Sequence, residues 1–166
     1  EEGFAEKNHK ILDQMRGAGY WLWKPYFILK TMKNTKNGDI IFYSDSGSRF
    51  VKQMDPILGK IEESNKGVAV FEMSGHHKEN EYCRKQVAQE LVGCDKAIME
   101  SDQNMASFVG VRNCSEAFNI INKWLSLCKK EHLITDLPAQ KDEFPMFIEH
   151  RHDQTLLSLL SKKLDL

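Results

Sequence analysis

Gly38-Asp39-Ile40-Ile41-Phe42-Tyr43-Ser44-Asp45-Ser46-Gly47 is the stretch whose reading decides the fold. Ile40 to Tyr43 is a short, apolar, β-prone run bounded by Gly38-Asp39 before it and by a polar turn after it. That is the pattern of a buried strand entering a functional loop. Val68-Ala69-Val70-Phe71, preceded by Gly67, and Ala106-Ser107-Phe108-Val109-Gly110-Val111 have the same character. Helical signals lie between and around these runs. Residues 5–16 carry Ile11, Leu12 and Met15 among polar neighbours until Gly17-Ala18-Gly19 stops the pattern. Pro25 suits a first helical turn, and good helix formers follow it to Lys33. Residues 50–63 read as helical with a restart or kink at Pro56 and Gly59, and residues 79–92 are polar and amphipathic. Over residues 114–130, Ala117, Ile121, Trp124 and Cys128 form one stripe at helical spacing behind a cap-like Asn113 and Glu116. Residues 135–146, with Pro138 and Pro145, read as a loop. A last helix runs from near Asp153 to Lys163 and buries Leu156, Leu157, Leu159, Leu160 and Leu164. Strands alternating with helices predict an α/β domain, a mixed sheet flanked by helices, spanning residues 1–166 as one unit.

The composition agrees. A chain of 166 residues that is 41% hydrophobic and 28% charged forms one ordinary globular domain, which excludes disorder and a disulfide scaffold. With 23 basic and 24 acidic side chains the net charge is −1, so no general surface attracts nucleic acid. Phosphate chemistry would need a local pocket. No stretch approaches the roughly 20 apolar residues of a membrane helix, so no transmembrane segment is expected. Cys83, Cys94, Cys114 and Cys128 match no metal or redox spacing and read as reduced thiols in a cytosolic-type compartment. The first residues lack a signal-peptide pattern and an initiating Met, which predicts that the numbering begins inside a longer chain.

Three segments hold residue types suited to chemistry. Asp45 stands in the loop beyond a strand end, where ligands of open α/β sheets sit. Its carboxylate suits Mg2+ or Mn2+, and Gly47 would admit a ligand close to the backbone; the plainer reading is a turn cap before the next helix. Glu149-His150-Arg151-His152-Asp153-Gln154 sets six hydrogen-bonding side chains before an apolar helix. There Arg151 can grip phosphate, His150 or His152 can ligate a metal, and Asp153 or Glu149 can act as general base. The plainer reading is an Asp N-cap among solvated charges. Trp21, Trp23 and Tyr26 flank Lys24-Pro25, with rings fit to stack on a base or sugar and an ammonium fit to meet a phosphate, though aromatics beside a helix are as often core. Gly17-Ala18-Gly19 is no dinucleotide fingerprint, since no strand precedes it. His76, His77, Cys83 and Cys94 fit no zinc spacing. His77, Glu79 and Arg84 read as a loop over the pocket, with Arg84 on a diphosphate, or else as solvated residues at a helix start.

Gly19-Tyr20-Trp21-Leu22-Trp23-Lys24-Pro25-Tyr26, the Gly38 to Gly47 stretch, and Phe147-Ile148-Glu149-His150-Arg151-His152-Asp153-Gln154 resemble, in this order, blocks of GT-A type nucleotide-sugar glycosyltransferases of capsule and surface-glycan gene sets and of some large viruses. Gln103 to Phe108 is similar to the strand that follows the pocket loop in that family. The resemblance implies a nucleotide-diphosphate sugar donor, usually UDP- or GDP-linked, a glycan acceptor hydroxyl, and a divalent cation, Mn2+ or Mg2+, on the diphosphate. It implies a cytoplasmic enzyme, at most peripheral to a membrane, working in the host cytoplasm in a viral setting. Asp45 corresponds to the acidic metal-binding motif, but Ser44-Asp45-Ser46 offers one carboxylate where the family has two. His150 or His152 is then the expected helper ligand. Trp21, Trp23, Lys24, Arg84, Arg151 and Gly47 fall to the donor and its phosphates, and Asp153, with Glu149 beside it, to proton transfer. Family members carry an upstream base-binding region, so either it precedes residue 1 or this is an unusually small version. Two rival classes remain: a glycan- or nucleotide-binding module without turnover, and a metal-dependent phosphohydrolase.

Overall fold

A computed structural model describes residues 3–136 and 142–166. The elements in chain order are α1 (Phe4–Lys7), α2 (His9–Leu12), α3 (Gly17–Tyr20), α4 (Trp23–Lys33), β1 (Ile40–Ser44), α5 (Asp55–Glu63), β2 (Val68–Glu72), α6 (Glu79–Tyr82), α7 (Lys85–Val92), α8 (Lys96–Met99), β3 (Asn104–Arg112), α9 (Ser115–Cys128), α10 (Glu131–Ile134) and α11 (His152–Leu164). The domain is thus a small mixture of helices and strands, as the alternation predicts. The sheet itself differs from expectation. It is three-stranded, ordered β1-β3-β2, and antiparallel at both pairings rather than mixed. The reason lies in the connections: β1 and β2 run the same way, joined across α5, and β3 inserts between them against both. Apolar runs mark strands but carry no direction.

The helix expected over residues 5–16 is two short turns ending at Leu12, and that over residues 50–63 begins only at Asp55, with Pro56 in its first turn. The helix expected over residues 79–92 breaks at Cys83-Arg84, where the backbone is extended. In the loop expected over residues 135–146, residues 137–141 lie outside the described residues. Ala117, Ile121, Trp124 and Cys128 of α9 are all fully buried, and α9 packs against α4 and α11. Burial of each large apolar side chain contributes about 1.5–3 kcal/mol, which exceeds any cap or surface pair. α11 lies against β3 and is buried on two sides: Leu156, Leu157, Leu159 and Leu160 on one, Thr155, Ser158 and Ser161 on the other. Ser158 Oγ accepts the Asn104 N–H at 2.7 Å, and Ser161 Oγ accepts from the Asn104 amide at 2.7 Å. α5 covers the sheet at Gly110, where a Cβ would come within 2.5 Å of the Ile61 side chain. No helix among the described residues is long and apolar enough to cross a membrane.

Candidate functional site

The wall of the site is a left-handed turn. Gly17, Ala18, Gly19, Tyr20 and Trp21 all have positive φ, from 48° to 91°. A Cβ on Gly19 would stand 2.6 Å from Leu12 Cα, and one on Gly17 would stand 2.4 Å from the Trp21 ring. The two glycines therefore do more than stop a helix: they let the chain curl back until Trp21 covers residue 17. Trp23 Nε1 donates to the Gly17 carbonyl at 3.0 Å and locks the curl. An L-residue in this region costs about 1–2 kcal/mol, and such conformations cluster at sites. His152, first in α11, is also left-handed, with φ 48°. Its ring stands 4.6 Å from that of Tyr20 and 5.7 Å from that of Trp21, so the two strained segments lean on each other.

The floor is built where strand pairing fails. The Asp45 N–H donates to the Ser107 carbonyl at 3.0 Å, just beyond the β1–β3 ladder. On the other side the β2–β3 register shifts between Ala69 and Phe71. Near this irregularity Ala106 gives its N–H to Gln154 Oε1 (3.4 Å) and its carbonyl to the Lys24 ammonium (3.1 Å). Lys24 is 3% exposed, and its Nζ also faces Asp153 Oδ2 at 3.1 Å and Asp45 Oδ1 at 3.5 Å. A cation in the first turn of a helix opposes the macrodipole, so these three oxygens, not α4, hold it there. The Tyr43 hydroxyl donates to Asp45 Oδ1 at 2.6 Å, and burial together with Asp45 drives the phenol's pKa well above its ordinary value. Burial pushes the Asp153 carboxyl up to about 6 against the opposing pull of Lys24. Trp124 Nε1 donates to the Asp153 carbonyl at 3.0 Å and fixes the first turn of α11.

The rim carries paired charge. Arg16 reaches Glu149 at 2.8 Å and Asp136 at 3.0 Å, and Arg151 Nε stands 3.5 Å from Glu149. The Arg16 hydrogen bond holds the Glu149 carboxyl below its usual range, so it is a poor proton acceptor. The Arg151 guanidinium lies 4.5 Å over the Tyr82 ring. His152 donates from Nδ1 to the Ile134 carbonyl at 2.7 Å, leaving Nε2 as acceptor, buried without a hydrogen-bond partner, 3.6 Å from Asp136 Oδ1. Burial lowers this imidazole's pKa and keeps it neutral.

These groups enclose a pocket of about 210 Å3 bordered by Arg16, Trp21, Lys24, Asp45, Ala106, Ser107, Glu149, Arg151, His152, Asp153 and Gln154. Of the residues singled out in the sequence, Trp21, Lys24, Asp45, Glu149, Arg151, His152 and Asp153 meet here. Tyr26, His77 and Glu79 do not border it, and neither do four of the residues assigned to the donor, the metal or proton transfer. Trp23 is spent on the Gly17 carbonyl. Arg84 is buried and donates to the His132 carbonyl, tethering α10, rather than covering the pocket. Gly47 is exposed with nothing within 4 Å of a Cβ, so no close approach demands glycine there. His150 is 2% exposed and donates from Nε2 to the Leu133 carbonyl, and burial drives its pKa to about 3. Sequence reasoning missed Arg16 and Asp136. Arg16 had one signal, its position directly before the Gly17 turn; Asp136 had none.

No family model, curated protein or solved structure matches this chain. The divalent cation expected at Asp45 does not fit the donor set as it stands. Asp45 Oδ1 already has the Tyr43 hydroxyl and the Lys24 ammonium as neighbours. Among the described residues no group of three or more His, Cys, Asp or Glu side chains could hold a metal ion.

Proposed function

We propose that the domain is a glycosyltransferase of the GT-A kind, moving a sugar from a nucleotide-diphosphate donor to a hydroxyl of a glycan acceptor. One observation carries this reading: the three blocks behind the resemblance, far apart in the chain, supply Trp21 and Lys24, Asp45, and Glu149, Arg151, His152 and Asp153 to the same pocket. Lys24, Arg16 and Arg151 are fixed cations around it, suited to the charge that develops on a departing diphosphate. In an inverting transfer the bond from the anomeric carbon to the diphosphate breaks, the acceptor oxygen bonds to that carbon, and Asp153 takes the hydroxyl proton. A carboxyl with a pKa of about 6 is ionised at neutral pH yet basic enough for that task. Glu149, held low by Arg16, suits anchoring of the two arginines instead. His152 Nε2 can accept from a sugar hydroxyl and Trp21 can stack on a sugar face. At about 210 Å3 the pocket is smaller than the roughly 300–1,000 Å3 that encloses a drug-sized ligand, so it would enclose the sugar and its phosphate while the nucleoside lies outside.

The test is release of nucleoside diphosphate by the full chain from a panel of UDP- and GDP-sugars with glycan acceptors. Asp153→Asn is expected to lower kcat about 10²–10⁴-fold with little change in donor KM. No release and no binding for any donor would overturn the reading.

A further inference from the structure

We infer that the Lys24 ammonium is the resident cation of this pocket, filling the ground between Asp45 and Asp153 that a divalent ion would need, so that the site meets its anionic ligand without a bound metal. The identity of that ligand rests on the transferase reading; the position of the cation does not. Lys24 Nζ donates to the Ala106 carbonyl at 3.1 Å and forms ion pairs with Asp153 Oδ2 at 3.1 Å and Asp45 Oδ1 at 3.5 Å, between the two carboxylates. Mg2+ requires oxygens at about 2.0–2.1 Å in a near-octahedral shell, and an ion bridging the two carboxylates would lie where Nζ now stands. Lys24 cannot swing out to make room at low cost. It is 3% exposed, its stem is buried in the first turn of α4, and its carbonyl partner is supplied by an irregular stretch of β3. The Tyr43 hydroxyl occupies Asp45 Oδ1 from another side.

Mn2+ titration followed by the EPR signal of the free ion reads this directly, with the full chain and no nucleotide. The wild type is expected to leave that signal unchanged. Lys24→Ala vacates the ground between the carboxylates and is expected to bind Mn2+ at least about tenfold more tightly than the wild type, a gain lost again when Asp45→Asn is added. Saturable Mn2+ binding by the wild type that Asp45→Asn abolishes would overturn the inference, and this comparison holds even if Lys24→Ala does not fold. A folded Lys24→Ala protein that binds Mn2+ no better than the wild type would overturn it too. Failure of every sugar nucleotide to react would sink the transferase reading and leave the Mn2+ result intact.

Discussion

Two buried lysine–carboxylate pairs lean on α11, and they are built to different ends. Toward its C-terminus Lys162 meets Glu79 at 2.7 Å, and Glu79 also accepts from the Ser158 hydroxyl and, at 2.9 Å, from the Gln103 amide. Lys162 spends a further N–H on the Asp102 carbonyl. That network is saturated, with Glu79 wholly buried. At the N-terminal end of α11, Asp153 faces Lys24 and the remaining side opens on the pocket. The two networks are joined: Gln103 Oε1 accepts from the Gln154 amide at 2.9 Å, and Gln154 Oε1 holds the Ala106 N–H. A polar network with every buried member satisfied fixes a structure, whereas the pocket end, where Asp153 Oδ2, His152 Nε2 and Arg151 Nε are buried without a hydrogen-bond partner, retains capacity for a ligand.

Breaking the saturated pair should have the largest effect on stability. Glu79→Ala leaves Lys162, Ser158 and Gln103 without their acceptor and is expected to cost about 3–5 kcal/mol in urea unfolding. Trp124→Phe, which removes the donor to the Asp153 carbonyl and part of a fully buried ring, is expected to cost about 1–3 kcal/mol. Acid sharpens the contrast at the open end. His150 has a folded pKa of about 3 against an ordinary 6.5, so the unfolded chain binds the proton first. Its contribution is complete above pH 6.5 and is lost as pH falls toward 3. Asp153 has the opposite sign: with a folded pKa of about 6 against an ordinary 3.8, its contribution is present below 3.8 and lost as pH rises through 6. Urea melts between pH 6.5 and 4 should therefore show His150→Gln losing less stability on acidification than the wild type and Asp153→Asn losing more. The baseline is the Lys60–Glu63 pair on α5, with side chains 80% and 71% exposed, where Lys60→Ala should change stability by less than about 0.5 kcal/mol.

Much of this was legible in the chain, for reasons that also explain what was not. The strand at Ile40 and the stripe from Ala117 to Cys128 were legible because burial imposes a period on the residues themselves. The blocks around Lys24, Asp45 and Asp153 stood out because polar groups were dense beside apolar elements. The strand directions were not legible, since an apolar run reads the same in either sense. Arg84 and Trp23 misled because residue type fits a ligand contact and a carbonyl tether equally well, and only the fold tells which. Asp136 joins the site through a contact with Arg16, distant in sequence, that no local pattern announces.

The run of positive φ from Gly17 to Trp21 also bears on chirality. Ala18, Tyr20 and Trp21 hold the backbone in the mirror image of the ordinary helical region, the half of conformational space that D-amino acids prefer. A chain assembled with D-alanine at position 18 would meet this turn without the penalty its L-counterpart carries. That wall of the pocket is thus held in shape by the rest of the fold, against the handedness of its own residues.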